Sequence, residues 1–327
     1  MVQIIAEFCQ NHNGSFEILN RMLETASKNG ATHGKIQNIY ADNLTFRPQF
    51  EEGVMIDEKI LSIKRPYKTE YERLKKLELS VKENEKFIES CKSNGLIPMT
   101  TCFTKSDIKK LKELGYDSIK VASYDCSSYP MIEELADSFS ELVISTGATF
   151  NDEIQTAAKM LNAKNKKFTF LHATTIYPTP LNLVNLNRMN FLKNFTSSVG
   201  YSDHTNAIET GVFATLLAIY CNANFIERHY TVLDRNETRD GKVSITPDQL
   251  KFISSFSHKD KEEQINIIRN LYPEFEIMLG KDNNPLSPEE LLNRDYYKGR
   301  FASNRKEFND KRFMIYNNED TLLWLNQ

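Results

Sequence analysis

Two stretches decide how this chain is read: SSVGYSDHT at Ser197–Thr205 and NFIERHYT at Asn224–Thr231. Each opens as a short strand candidate, Ser197–Tyr201 and Phe225–Glu227. Each closes in polar residues: Ser202, Asp203 and His204 in the first, Glu227, Arg228 and His229 in the second. The same arrangement recurs outward along the chain. The other strand candidates are Val2–Phe8, Gly34–Gln37, Ile97–Thr100, Ser118–Ala122, Leu142–Ile144 and Phe168–His172. At or just past their ends stand Glu7, Lys35 and Gln37, Thr101, Lys120 and Ser123, Ser145, and Thr174 and Thr175. A closed parallel barrel collects its strand ends on one face, where active sites sit, whereas an open sheet would scatter them. Helical-period segments lie between most of the runs. Ser15–Asn29 places Ile18, Leu19, Met22, Leu23 and Ala26 on one side, Val81–Asn94 stops at Asn-Gly, and Ala207–Tyr220 is long and apolar. The expected fold is therefore α/β, a (β/α)8 TIM barrel with a short C-terminal extension. A doubly wound sheet is the alternative, but no Gly-rich fingerprint follows the first strand.

Length and composition agree. The chain has 327 residues, and α/β barrels run to about 250 residues as one domain. Residues 1–280 are expected to form the barrel domain, and 281–327 a linker (Asp282-Asn283-Asn284-Pro285) and a polar extension. The net charge of −3, with both signs interspersed, argues against nucleic-acid binding. Five scattered cysteines, Cys9, Cys91, Cys102, Cys126 and Cys221, form no CxxC pair and read as reduced thiols. No signal peptide and no apolar run of membrane-spanning length is seen, so a cytoplasmic protein is expected.

Several constellations have both a bland and a chemical reading. Asn13-Gly14-Ser15 reads as a turn into a helix, with Ser15 as its N-cap. That does not account for Glu7, a carboxylate closing an apolar strand, which is costly to bury unless paired. Lys35 and Gln37 share one face of a strand by two-residue alternation, and Lys120 lies in another apolar run. Lysines there are either snorkelling surface residues or the walls of an anion pocket. Thr101, Ser123 and Ser145-Thr146-Gly147 offer donors to an anion. His204 and His229, on neighbouring strand ends, are either hydrogen-bonded core residues or metal ligands. The connection Ile39–Ser80 is long and charged, and Arg47, Arg65 and Lys68 make it a candidate lid.

The ordered strings IIAEFCQNHNGS, GATHGKIQ, MTTCF, IKVASYD, ISTGAT, HATTIYPTP, GYSDHT and IERHYT resemble the sialic acid synthase family over residues 2–250. That family includes the synthases of sialic, legionaminic and pseudaminic acids. The resemblance implies a transferase that condenses phosphoenolpyruvate with a sugar aldehyde to a 2-keto-3-deoxy sugar acid, releasing phosphate. It implies a divalent metal, expected to be Mn2+ with Mg2+ or Co2+ as alternatives, on His204 and His229. Catalytic roles are implied for Glu7, Lys35, Lys120 and Asp125. Substrate contacts are implied for Gln37, Thr101, Phe103, Ser123, Ser145, Thr175, Tyr177, Ser202 and Asp240. A homodimer is expected. Three departures stand out. Thr175 replaces the Asn that usually precedes IYPTP, and Ala122-Ser123-Tyr124-Asp125 replaces a usual Gly-Ser-Gly-Glu. The family's C-terminal antifreeze-like domain is expected to be reduced to a lead-in at Arg294–Arg305. The alternatives weighed are a barrel synthase for a phosphorylated aldose, a Schiff-base aldolase using Lys120 or Lys35, and a non-catalytic sugar-binding barrel.

Overall fold

The computed structural model describes residues 2–116, 118–283 and 285–304, with the backbone of 313–316 and 322–324. Eight parallel strands close into a barrel: β1 (Gln3–Cys9), β2 (His33–Gln37), β3 (Ile97–Cys102), β4 (Ser118–Val121), β5 (Glu141–Ser145), β6 (Lys167–His172), β7 (Val199–Asp203) and β8 (Phe225–His229). The eight runs expected from sequence are these eight strands, in chain order around the ring. Closure is made between the first and last, where Glu7 lies opposite His229 on one side and opposite Lys35 on the other.

Two-residue alternation divides each strand between lumen and helical shell. Ile5, Met99, Val143, Leu171 and Phe225 fill the lumen as a small separate cluster. Burying each contributes about 1.5–3 kcal/mol. Gly200 faces this cluster because a Cβ there would stand 2.2 Å from the Phe225 carbonyl oxygen. The larger core lies between strands and helices, where Phe8, Ile36, Ile119, Ile144, Phe170, Tyr201 and Ile226 meet the apolar helix faces. Above the apolar lumen layer the inward positions turn polar, and there the site is built.

The first helix, Phe16–Lys28, is capped by Ser15, whose side chain accepts from the Ile18 amide, as the turn motif suggested. The seventh connection differs from expectation. Its helix begins only at Phe213, because the Asn206 side chain accepts from the Ile208 and Glu209 amides and holds 206–209 as a turn.

The segment after residue 285 lies across the barrel's mouth. Helix Pro288–Tyr297 starts with a Ser287/Glu290 capping box. Glu290 accepts from the Thr175 amide, Asn293 donates to the Thr175 carbonyl at 2.7 Å, and Arg294 donates to the Ala148 carbonyl at 2.6 Å. A three-stranded antiparallel sheet of Ala302–Asn304, Phe313–Tyr316 and Leu322–Trp324 follows.

Candidate active site

Glu227 stands at the centre of the polar layer. It is buried on β8, and its Oε1 accepts from Lys120 Nζ at 3.0 Å and from Ser202 Oγ at 2.7 Å. Its Oε2 lies 3.5 Å from Lys35 Nζ, and Lys35 also pairs with Glu7. Two carboxylates and two ammonium groups thus form a chain running Glu7–Lys35–Glu227–Lys120, all four buried. Burial alone would raise the Glu227 carboxyl, but Lys120 and Lys35 hold it well below the usual range. Burial pushes Lys35 down to about 7 against the pull of Glu227, and Lys120 adds like-charge repulsion. Lys35 is therefore a cation whose charge depends on the anions beside it.

His204 and His229 sit next to this quartet with ring centroids 5.5 Å apart. His204 Nδ1 lies 3.2 Å from the Thr174 carbonyl, which fixes the proton there and leaves Nε2 with its lone pair. Tyr177 Oη approaches that Nε2 at 3.1 Å. Burial, and then the neighbouring His229, lowers His204 to about 3, so its ring is neutral at physiological pH. His229 Nδ1 is buried and has no hydrogen-bond partner, although Asp240 Oδ2 stands 3.5 Å away. Asp240 also accepts from Cys9 Sγ at 3.2 Å. Burial would raise Asp240, but His229 holds it down to about 2. A neutral imidazole with a free lone pair, a second with an orphaned nitrogen, and an ionised carboxylate fit a divalent transition metal.

Most of the site residues expected from sequence come together here. Glu7, Lys35, Lys120, Ser202, His204, His229, Tyr177 and Asp240 form the cluster just described. Thr101 lies in register with Lys120 on one side and Gln37 on the other. Ser123 Oγ accepts from the Gly147 amide at 3.2 Å, and a Cβ on Gly147 would collide with Thr175. Ser145 Oγ, on the strand beside that of Lys120, and Thr175 Oγ1, past the end of β6, are buried with no hydrogen-bond partner.

Others face elsewhere. Asp125 accepts from Ser128 Oγ at 2.8 Å at the start of the next helix. Phe103 packs on Phe301 of the C-terminal segment, ring centroids 5.2 Å apart. Tyr124, at the position that departs from the family string, stacks on Tyr297 at 4.8 Å. Arg47 is not poised over the barrel as a lid cation. It is buried, and its guanidinium donates to the carbonyls of Asp295, Tyr296 and Lys298, which end helix Pro288–Tyr297. Arg65 and Lys68 are exposed.

Sequence reasoning missed Glu227 and Cys9 as site residues. The signal for Glu227 was alternation from His229, since residues two apart share the lumen face. Cys9 had no such signal, because a bulge after Glu7 moves it one register step against β2.

The NeuB family profile matches residues 22–264. The chain belongs to the NeuB family. The N,N'-diacetyllegionaminic acid synthase of Campylobacter jejuni is 31% identical over 293 residues, covering 81% of this chain and 82% of that protein. A pseudaminic acid synthase of the same species is 27% identical over 309 residues, covering 92% and 82%. Among solved structures, the N-acetylneuraminic acid synthetase of Leptospira borgpetersenii, in complex with citrate, superposes with a TM-score of 0.67 at 26% identity, covering 90% of each chain. The expected enzyme class, a carbon–carbon bond-forming transferase of the acetylneuraminate synthase type, is that of these NeuB-family relatives. Among the described residues, no helix is long and apolar enough to cross a membrane.

Proposed function

We propose that this chain condenses phosphoenolpyruvate with a sugar aldehyde, giving a 2-keto-3-deoxy sugar acid of the sialic or legionaminic type and inorganic phosphate. The observation that carries the reading is the pair of buried lysines, Lys35 and Lys120, meeting on Glu227 beside His204 and His229. An enol phosphate carries a phosphate and a carboxylate, and two ammonium groups with nearby hydroxyls suit both. Lys35 and Lys120 bind these anions, with Thr101, Ser123, Ser145 and Ser202 as further donors. Entry of the substrate's charge restores full protonation of Lys35, whose burial otherwise depresses it. A divalent metal on His204 and His229, manganese being the first choice, supplies Lewis-acid polarisation of the aldehyde oxygen.

The substrate's alkene carbon attacks the aldehyde carbon. The carbonyl electron pair moves to the aldehyde oxygen, which becomes a hydroxyl by taking a proton from solvent, and positive charge develops at the enol carbon. The Glu7 and Glu227 carboxylates, both paired with Lys35, face that charge and stabilise it electrostatically. Glu7 takes a proton from the water that adds to the enol carbon. The resulting tetrahedral centre expels phosphate by breaking its carbon–oxygen bond, and the keto group forms. Lys120 holds the departing phosphate. The protein is proposed to work in the cytoplasm, where its five free cysteines stay reduced, and as a homodimer.

The test is phosphate release from phosphoenolpyruvate labelled in the bridging oxygen, with a panel of N-acylated hexosamines as acceptors. The label is expected in phosphate. Label in the keto acid, or phosphate release that ignores the acceptor, overturns the reading. For the phosphorylated-acceptor alternative, Arg65 and Lys68 stay exposed on the long loop, whereas Arg47 serves the C-terminal helix.

A further inference from the structure

We propose that Cys9 is a metal ligand, so that the cation on His204 and His229 is also held by Cys9 Sγ and the Asp240 carboxylate and the site is thiophilic. This rests on the reading above only in that the site holds a divalent cation.

One ligand atom from each of Cys9, His229 and Asp240 falls within 4.8 Å of the other two. Cys9 Sγ and His229 Nδ1 approach the same carboxylate oxygen, at 3.2 and 3.5 Å. The bland reading is a thiol donating to a carboxylate. It accounts for Cys9 and Asp240 but leaves His229 Nδ1 buried with only a long, 3.5 Å contact to Asp240 Oδ2 and no well-formed hydrogen bond. A buried polar nitrogen in that state is costly, and a cation among the three groups satisfies it. The backbone holds the sulfur in place. Cys9 has φ of 44°, a conformation that favours glycine, and its amide donates to Glu7 Oε1 at 2.7 Å. His204, the next imidazole round the ring, completes the ligand set.

A sulfur, nitrogen and oxygen donor set prefers Zn2+, Fe2+ or Co2+ to Mg2+. Binding breaks the Cys9 S–H bond, forms a sulfur–metal bond and releases the proton to solvent.

The experiment is a Co2+ titration of the reduced, metal-free full chain under anaerobic conditions. The expected result is a sulfur-to-cobalt charge-transfer band in the near ultraviolet that saturates at one equivalent. Cys9→Ser and Cys9→Gly should lack the band and bind Co2+ about 10-fold or more weakly. Glycine relieves the positive φ, so Cys9→Gly keeps its melting temperature and separates ligand loss from misfolding. No band in the fully occupied wild type, or a band that persists in Cys9→Gly, overturns the proposal. A cobalt–sulfur band without phosphate release for any aldose leaves Cys9 ligation standing and removes the synthase reading. Acceptor-dependent phosphate release with no such band does the reverse.

Discussion

Asp203 and Arg228 form a fully buried ion pair at 2.6 Å on the outward faces of β7 and β8. They lie directly behind Ser202, His204, Glu227 and His229, which face the lumen. Asp203 also accepts from Thr215 Oγ1 at 2.6 Å and from the Thr205 amide at 2.8 Å. Arg228 reaches Thr205 Oγ1 at 3.0 Å and the Val243 carbonyl at 3.3 Å. The pair therefore ties together the two strand ends that carry the histidines. Asp203→Asn keeps an acceptor for Thr205 but leaves the guanidinium buried with no counter-charge. Breaking a buried pair from one side costs about 3–5 kcal/mol. For a chain of this size that is a fall in melting temperature of roughly 6–10 °C, at about 2 °C per kcal/mol. Arg228→Met strands the Asp203 carboxylate instead, softened by its hydroxyl and amide donors, and should cost somewhat less. The double variant removes both charges. Its loss should be smaller than the sum of the singles by at least about 2 kcal/mol, the coupling of two groups in one network. Melting temperatures and urea unfolding of all four proteins complete the cycle. An Asp203→Asn protein within about 1 kcal/mol of wild type, or a strictly additive double variant, would refute this reasoning.

Other outcomes follow from the same geometry. Lys120→Ala removes a charge-assisted contact of about 1.5–3 kcal/mol, so the KM for phosphoenolpyruvate should rise about 10- to 100-fold in a phosphate-release assay. Arg47→Lys should loosen helix Pro288–Tyr297, since a single ammonium cannot span the three carbonyls that a guanidinium fork reaches. Faster amide exchange in 288–303 is the readout, and exchange equal to wild type would argue against it. Burial alone would raise Glu70, but Arg73 and Arg300 hold it down to about 2 from its ordinary 4.5. A depressed carboxylate contributes stability that is full above its unfolded pKa and is lost as pH falls through the folded one. Glu70→Gln should therefore melt below wild type at pH 7, with the gap closing between about pH 4.5 and 2. A gap that is unchanged across that window would remove Glu70 as the acid-sensitive contact.

The barrel was legible because alternation and helical periodicity are local. Eight apolar runs, each ending in polar residues, carry their own geometry: once the ring closes, Glu7, Lys35, Lys120, His204 and His229 have to meet. What the sequence could not rank was which of two polar neighbours faces inward. Asp203 and Arg228 sit in the same short motifs as His204 and His229, yet they point outward and hold each other. Glu227 reads as one more strand-end charge until β2, β4 and β7 bring Lys35, Lys120 and Ser202 to it. The bulge that turns Cys9 toward Asp240 is a register slip between β1 and β2, and a register exists only when both strands are paired. Arg47 and Arg300 are 253 residues apart in sequence, but both fasten the C-terminal segment over the mouth, Arg47 at its last helical carbonyls and Arg300 at Glu70. Contacts of that kind depend on where the chain returns in space. Periodicity within one segment carries no record of it, so only the tertiary structure decided them.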